Sequence, residues 1–385
     1  MSSLAWVELD ARRPDHNLAE IRRSSDFKGL HCAVVKSNAY GHGVGEILPL
    51  LTKADWLAVN SLEEGLELRG LGEQRPVLVM GHVPLHRIEE AREADLRIIV
   101  CNFETLKAVR ELPLSGMGKK IRLHIKVETG TWRQGVLPDV VVPVAREISE
   151  MSGAVLDGIY THFANIEDTL SHQYAEMQLN TFQKVLDALQ KEKLTPPVIH
   201  TACTAAAILF PKTHFSMIRT GIGLYGLWPS RETRLSAETS GCKLPDLRPV
   251  LSWKTRIVQI KEVPDGSYIG YGGTHRTTRN SRIAVLPVGY ADGYRRSVGN
   301  TGWVLVAGNR APVLGRVCMN LCMVDITDIQ GTHLENEVVL LGRSGSEEIT
   351  AEMLGQWMGT INYEVVTGIS PLLPRRVMKG VNGVY

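Results

Sequence analysis

Short apolar runs that alternate with amphipathic stretches constrain the fold of this chain more than any other feature. The first part of the chain contains the runs "HCAVVK", "WLAVN", "PVLVMG", "RIIVC", "IRLHIKV", "GIYTHF", "VIHTA" and "MIRTGIG". Helical patterns such as "SLEEGLELRGL" and "QLNTFQKVLDALQKEK" separate several of them. Nearly continuous apolar strands between helices indicate a parallel sheet. Eight such strands fit a (β/α)8 barrel, whose usual length is about 250 residues.

A doubly wound open sheet is the main alternative to the barrel. Its dinucleotide-binding form has G-x-G-x-x-G after the first strand. The first run here continues into "SNAYGHG" instead, which makes that form a weak alternative.

The pattern changes near residue 235, where the polar link "SAETSGCKLPDL" begins. Beyond it lie closely spaced strand-like runs such as "LSWKTRIVQIKEV" and "SRIAVLPVGY", and one helical stretch, "TAEMLGQWMGTIN". These features predict a mainly antiparallel β domain. We expect a barrel domain over residues 8–236 and a β domain over residues 237–385, to which residues 1–7 can add a strand.

Composition argues against several classes of partner. The 385 residues include 43 basic and 41 acidic side chains, with a formal net charge of +2, which disfavours nucleic acid or an anionic membrane as the main partner. No run of about 18 apolar residues is present, and the first residues lack the pattern of a secretory signal. Six cysteines without framework spacing are typical of free thiols in a reducing cytosol. We therefore expect a cytoplasmic protein without a metal site.

Polar side chains occur where the apolar runs end. Lys36 ends the first run, where a lysine usually keeps its ammonium in water but can also act as a nucleophile toward a carbonyl cofactor. Later runs are followed by, or end in, Lys126, Arg133, His162, Thr204 and Arg219. Because barrel chemistry takes place at the C-terminal ends of the strands, we expect these side chains at one end of the barrel.

The segment "RTGIGLYG" after the eighth run has the character of a phosphate site. Gly221 and Gly223 allow close approach of the backbone, and backbone N–H groups near a helix start suit a phosphate. Barrels often hold a phosphate after strands seven and eight, and Thr204 follows the seventh run. A phosphate site together with an amine indicates pyridoxal 5′-phosphate (PLP), which carries a phosphate and an aldehyde.

The chain resembles the bacterial alanine racemases over essentially its whole length. The matching motifs are, in family order, "VVKSNAYGHG", "VETGTWRQG", "THFAN", "RTGIGLYG", "GYGGT", "PVGYADGYRR", "GRVCMN" and "INYEV". The resemblance implies an N-terminal PLP-binding (β/α)8 barrel, a C-terminal β domain and a head-to-tail homodimer with shared active sites. It also implies racemisation of alanine, which supplies D-alanine for peptidoglycan.

The resemblance further implies two acid/base groups, because racemisation removes the α-hydrogen from one face and returns it on the other. Lys36 would hold PLP and act as the base on the D-side, and Tyr271 of the partner subunit would act on the L-side. Tyr271 would approach His162, and His162 would touch Arg219. Arg219 would face the pyridine nitrogen and keep it unprotonated, since arginine retains its proton, and this disfavours transamination.

Further residues acquire roles from the same resemblance. Arg133 would reach the PLP phenolic oxygen and the substrate carboxylate, and Lys126 matches a lysine that is often carbamylated and orients that arginine. The phosphate-side residues would be Tyr40, Thr204, Gly221, Ile222 and Tyr363. The substrate-entrance residues from the other subunit would be Tyr290 and Met319.

Some positions depart from the family pattern and leave alternatives open. Many members have aspartate at the positions of Glu128 and Asn320. They have methionine at Thr131, a variable residue at Trp132 and leucine at Gln134. These differences concern the tolerance of the pocket, so a broader racemase acting on serine or basic amino acids remains an alternative. A barrel decarboxylase is disfavoured because it would have a carboxylate in place of Arg219. A PLP carrier is disfavoured because such proteins are typically a lone barrel.

Overall fold

The computed structural model describes residues 3–112, 119–167 and 169–379, and the chain divides into two compact units. One unit, here called the β unit, contains the residues up to Arg13, residues 38–50 and the residues from Pro249 onward. The other, the barrel unit, contains Pro14–Ser37 and Leu51–Arg248.

Strands occur throughout the described chain. They are β1 (Ala5–Asp10), β2 (Leu30–Val34), β3 (Trp56–Val59), β4 (Val77–Val79), β5 (Leu96–Val100), β6 (Ile121–Lys126), β7 (Ala154–Tyr160), β8 (Val198–His200), β9 (Met217–Thr220), β10 (Leu251–Arg256), β11 (Gln259–Val263), β12 (Tyr268–Ile269), β13 (His275–Arg276), β14 (Ser281–Leu286), β15 (Trp303–Val306), β16 (Asn309–Leu314), β17 (Cys322–Asp325), β18 (Glu337–Ser344), β19 (Glu347–Ile349) and β20 (Arg375–Met378).

Helices lie between the barrel strands and late in the β unit. They span Arg13–Ser25, Val44–Ile47, Leu62–Gly70, Ile88–Glu93, Phe103–Arg110, Val141–Glu150, Gln173–Lys191, Thr204–Leu209, Arg231–Thr239, Ala351–Met358 and Asn362–Thr367. A further helical turn covers Lys36–Tyr40. None of the helices in the described part of the chain is both long enough and apolar enough to cross a membrane.

Eight parallel strands form the barrel, in the order β8-β7-β6-β5-β4-β3-β2-β9. The end strands approach each other through backbone bonds from Ser216 N to Ile199 O and from Arg219 N to Ala202 O, both of 3.0 Å. The eight apolar runs of the sequence are these eight strands. The predicted (β/α)8 barrel is therefore confirmed.

The local sequence explains why strands and helices alternate. Every residue of β3 and of β5 is buried, as expected where helices cover the outside of a parallel sheet. The helix Leu62–Gly70 begins with a capping box, in which Ser61 accepts from Glu64 N and the Glu64 carboxylate accepts from Ser61 N. Such caps satisfy N–H groups that the first helical turn leaves free.

The β unit contains a sheet in the order β11-β14-β17-β16-β15-β18-β10-β1-β20, with β19 attached to β18. The pairs are antiparallel except for β1 with β20. The mainly antiparallel β domain expected from the sequence is thus confirmed. β1, the first strand of the chain, lies in this sheet between β10 and β20. The late helical stretch consists of two helices separated at Gly359, which has φ of 69°.

Candidate active site

Lys36 follows the first barrel strand, β2, at its C-terminal end. Beneath it, the Tyr225 hydroxyl donates to Val34 O at 3.0 Å. Lys36 is partly buried, and its amine has no hydrogen bond or ion pair with any residue that the structure describes. Burial lowers the pKa of Lys36 and so does the positive charge of Arg133, whereas Glu64 opposes this shift. An amine that is desolvated and unpaired is suited to act as a nucleophile.

The turn after Lys36 has an unusual backbone. Ser37, Asn38, Ala39 and Tyr40 have φ between 52° and 55°, so four consecutive non-glycine residues are left-handed. This conformation costs about 1–2 kcal/mol per residue. Glu64 Oε1 accepts from Ser37 N at 2.5 Å, and Asn38 Oδ1 accepts from Val44 N at 2.8 Å. Strained backbone held in this way is typical of functional sites.

Arg219 lies on β9, is only 4% exposed, and is held by several polar partners. Its Nη1 lies 2.5 Å from His200 Nδ1, and its Nη2 donates to Thr161 O at 3.1 Å and to Thr201 O at 3.0 Å. The guanidinium carbon lies 5.1 Å from the centre of the Tyr160 ring. Burial lowers the pKa of Arg219, but an arginine remains charged at any ordinary pH. Arg219 is therefore a fixed, buried hydrogen-bond donor.

His162 follows β7 and connects the predicted polar residues electrostatically. Its Nδ1 lies 3.5 Å from Nη2 of Arg219. Burial lowers the pKa of His162 well below its usual value, and the charges of Arg219, Arg133, Lys126 and Lys36 lower it further. The structure therefore brings these predicted residues to one end of the barrel, around a neutral imidazole.

Thr204 joins the loops that follow the seventh and eighth barrel strands. Its hydroxyl accepts from Gly221 N at 3.2 Å and from Gly223 N at 3.4 Å, and it does not cap its own helix. A Cβ at Gly223 would lie 2.5 Å from Thr204 Cγ2, so a larger residue would not fit there. Ile222 opens the short turn Ile222–Tyr225 directly after Gly221. A hydroxyl and several backbone N–H groups are thus concentrated at this end of the barrel.

The loop that carries Arg133 is ordered by two residues that depart from the family pattern. The Glu128 carboxylate accepts from Gly130 N at 2.6 Å and from Arg133 N at 3.2 Å. Gln134 Oε1 accepts from Lys126 Nζ at 3.2 Å. Burial, assisted by the charge of Arg133, lowers the pKa of Lys126 to about 8. Glu128 and Gln134 thus have structural roles at the positions where the sequence left them unexplained.

Within the β unit, Tyr40 and Tyr363 lie close together. Their ring centres are 6.2 Å apart with the planes inclined at 45°. Tyr363 lies in the helix Asn362–Thr367, which packs directly on the chain after Tyr40, because a Cβ at Gly41 would lie 2.0 Å from Val366 O. Only glycine, with φ of 78°, fits at this contact.

Three further predicted residues of the β unit are solvent-exposed. Tyr271 is 70% exposed, Met319 is 56% exposed and Tyr290 is 45% exposed. Tyr290 N donates to Cys318 O at 3.1 Å, so the segments of Tyr290 and Met319 are neighbours. A Cβ on the glycine after Tyr271 would lie 2.8 Å from Nη1 of Arg316, which is close to Met319 in sequence. The three side chains thus belong to adjoining segments.

Apart from His162, the residues that hold Arg219 were not among those predicted from the sequence. His200 lies in the apolar run "VIHTA", and a titratable ring in an otherwise apolar strand was the available signal. The backbone carbonyls of Thr161 and Thr201 could not be predicted as partners of Arg219 from residue types, because every residue has a carbonyl.

Comparison with known proteins assigns the family. The family models "Alanine racemase, N-terminal domain" and "Alanine racemase, C-terminal domain" match residues 9–229 and 250–377. Alanine racemases of Leptospira interrogans and Halothermothrix orenii are 38% and 40% identical, over 97% and 98% of this chain and 96% and 98% of theirs. The alanine racemase structure from Clostridium difficile 630 matches with a TM-score of 0.90 and 33% identity, covering 98% of this chain and 97% of that one. A Bacillus anthracis alanine racemase structure with bound L-Ala-P matches with a TM-score of 0.88 and 33% identity, covering 98% and 96% of the two chains. The chain therefore belongs to the alanine racemase family, and it is an isomerase.

Proposed function

We propose that this protein interconverts L-alanine and D-alanine with PLP, using Lys36 and Tyr271 as the two acid/base groups. The observation that carries the proposal is the arrangement of two cations, one directly after a barrel strand and one on the strand beside it. β2 leads to the unpaired amine of Lys36, and β9, its parallel neighbour, carries the fixed donor Arg219. A carbonyl cofactor with a ring nitrogen needs a nucleophilic amine and a ring partner of this kind.

The residues of this site fit PLP. Lys36 would bind the aldehyde, and Arg219 is the residue that we assign to the ring nitrogen. The hydroxyl of Thr204 and the N–H groups of Gly221 and Ile222 would bind the phosphate, assisted by Tyr40 and Tyr363. When bound, PLP delocalises the electron pair that remains after the α-proton is removed.

Lys36 would remove or return the α-proton on the D-side. Its lowered pKa means that the amine loses its proton at a lower pH than an ordinary lysine, as a base requires. On the L-side we assign this role to Tyr271 of the partner subunit. His162 supports the assignment of Tyr271. Because its pKa is strongly lowered, the His162 imidazole is neutral and can accept a hydrogen bond from the Tyr271 phenol.

Arg133 would bind the substrate carboxylate and the phenolic oxygen of the cofactor. We propose that Lys126 is carbamylated, because burial leaves part of its amine unprotonated near neutral pH. The nitrogen would bond to the carbon of CO₂ and release one proton to solvent, which produces an anion beside Arg133. That anion would orient the guanidinium.

The exposed face of the β unit supports a homodimer. Several large side chains remain exposed there, namely those of Tyr268, Tyr271, Tyr290, Met319 and Leu321. Clusters of this kind are typical of interaction sites. We propose that Tyr290 and Met319 border the partner's substrate entrance, Met319 also offering a backbone N–H to the substrate carboxylate. We also propose that the protein acts in the cytoplasm and supplies D-alanine for peptidoglycan.

Racemase assays on L-alanine, L-serine, L-lysine and L-arginine in parallel test the activity. We expect loss of optical rotation fastest with L-alanine. A protein that racemises serine or a basic amino acid faster would instead be a broad-specificity racemase. A protein that leaves all four unchanged would contradict the proposal.

Mixing two inactive variants tests whether the bases come from different subunits. Lys36→Ala and Tyr271→Phe homodimers should each be nearly inactive. In the mixed dimer one site has neither base, whereas the other has both. Random pairing makes about half of the dimers mixed, so activity should recover to about a quarter of wild type in a two-fold dimer. Subunit exchange verified by mass spectrometry without recovery of activity would refute the shared site.

A further inference from the structure

A column of buried polar side chains passes through the barrel interior and ends at Arg219. Asp157 on β7, His124 on β6 and His200 on β8 follow one another toward it. Asp157 Oδ2 lies 3.5 Å from His124 Nε2, and His124 Nδ1 lies 3.1 Å from His200 Nε2. His200 Nδ1 then lies 2.5 Å from Nη1 of Arg219. The proposed reaction gives no role to Asp157 or His124.

The protons of this column have one consistent arrangement. Arg219 is always a donor, so His200 Nδ1 must accept and its proton must be on Nε2. That proton is donated to His124 Nδ1, so the proton of His124 is on Nε2 and faces the Asp157 carboxylate. Burial lowers the pKa of both histidines, which favours this neutral state of the two rings.

The carboxylate fixes the same direction from the other end. Asp157 Oδ2 lies 3.4 Å from Arg97 Nε, and Asp157 Oδ1 lies 3.3 Å from Arg122 Nη1. Burial acts to raise the pKa of Asp157, but His124 and these arginines lower it overall. At 3.5 Å the Asp157 carboxylate and His124 Nε2 form no hydrogen bond, but the negative charge attracts an N–H and repels a lone pair, so it favours the proton of His124 on Nε2.

The surrounding barrel is shaped to hold these rings. A Cβ at Gly158 would lie 2.4 Å from both Cε1 and Nδ1 of His124, so only glycine leaves room for this imidazole. The Tyr160 ring stacks on His200 with 4.6 Å between ring centres and 6° between planes. Trp56 contacts His124 edge-on at 5.7 Å. The two rings therefore have little freedom to turn.

We propose that His124 and Asp157 are positioning residues that act through His200 to hold Arg219 as a donor of fixed direction. The proposal rests on the proposed role of Arg219 at the cofactor ring nitrogen. If the column were reversed, an N–H of His200 would face an N–H of Arg219 and displace the guanidinium. A column anchored at both ends prevents this reversal.

Nitrogen NMR of the holoenzyme labelled with ¹⁵N-histidine provides the first test. We expect His200 and His124 to be neutral with the proton on Nε2 over the pH range of activity. A proton on Nδ1 of His200, or on both of its nitrogens, would overturn the proposal. The NMR measurement does not depend on turnover. A protein without racemase activity would refute the proposed function, whereas the proton positions on His200 and His124 would still test the proposal about the column.

Variants separate positioning from simple packing. His124→Phe removes the acceptor for His200, whereas His124→Gln retains an oxygen that can accept. We expect His124→Phe and Asp157→Asn to shift the His200 resonances, to reduce kcat roughly tenfold with little change in KM, and to raise the fraction of pyruvate formed from alanine. This magnitude is that of partners that orient a metal-bound histidine. His124→Gln should restore part of kcat.

Arg122→Gln is the matched control, because it removes the more exposed of the two arginines beside Asp157, while Arg97 and His124 still keep that carboxylate ionised and the histidines stay in place. It should change neither the His200 resonances nor the pyruvate fraction. A His124→Phe protein that matches this control in both readouts would overturn the proposal. If His124→Phe does not fold, Asp157→Asn is compared with Arg122→Gln in the same two readouts. The wild-type spectrum still shows which nitrogen of His200 carries the proton.

Discussion

Lys36 follows strand β2 and Arg219 lies on the neighbouring strand β9, yet the protein holds the two side chains in opposite ways. Arg219 is almost fully buried and donates to two carbonyls and a histidine ring. Lys36 is partly buried, and none of the described residues pairs with its amine. This contrast fits the proposed function, in which Arg219 keeps its direction as a donor and the Lys36 amine forms and breaks a bond. The difference indicates which cation is fixed and which one moves.

The backbone after each residue shows the same contrast. After Arg219 the chain turns with Gly221 and Gly223, and Gly226 takes the left-handed position with φ of 79°. After Lys36 four residues without glycine adopt left-handed φ. The end of the first barrel strand therefore stores strain, and the end of the eighth does not.

Replacement of Lys36 should have the largest effect. Lys36→Ala removes the amine assigned to both the cofactor link and one proton transfer, so racemisation should fall roughly 10³-fold or more. Borohydride reduction and peptide mapping should find the pyridoxyl group on Lys36 in the wild type and in the control Lys28→Ala, whose side chain is exposed. An adduct on another lysine would show that the amine was assigned wrongly.

Replacement of Arg219 should change the product as well as the rate. In Arg219→Glu a carboxylate would favour a protonated ring nitrogen, so racemisation should slow about 100-fold and pyruvate formation from alanine should rise. Arg219→Lys retains the positive charge and should keep the pyruvate fraction low. An unchanged ratio of the two reactions in Arg219→Glu would argue against the role of a fixed donor.

The contrast between the two residues also separates what the sequence could predict from what it could not. The strands were predictable because burial on both faces leaves nearly continuous apolar runs, and Lys36 and Arg219 were noticeable as cations at their ends. The support of Arg219 was hidden because it comes from carbonyls and from His200 inside a strand. The left-handed turn was hidden because "KSNAY" has no glycine, and contacts from distant residues such as Glu64 hold it.

The pKa of Lys36 should respond to its neighbours with opposite signs. Arg133→Met removes a positive charge that lowers the pKa of Lys36, so that pKa should rise. Glu64→Gln removes a charge that raises it, so that pKa should fall further. Competitive labelling of the cofactor-free protein across pH, read by mass spectrometry with Lys28 as internal reference, measures both shifts. Shifts of the same sign in the two variants would contradict this electrostatic account.

Relief of strain in the turn after Lys36 should have the smallest effect, visible in stability. Ser37 is exposed and has φ of 55°, a conformation that glycine adopts without strain. Ser37→Gly should gain about 1–2 kcal/mol of relieved strain and lose about 0.4–1 kcal/mol through greater freedom of the unfolded chain. The free energy of unfolding should therefore rise by about 0.8 kcal/mol at the midpoints of these ranges. Ser297→Gly, at an exposed serine without positive φ, has no strain to relieve and should lower that free energy. Denaturant titration of both variants compares them directly, and equal destabilisation would show that the turn after Lys36 stores no strain.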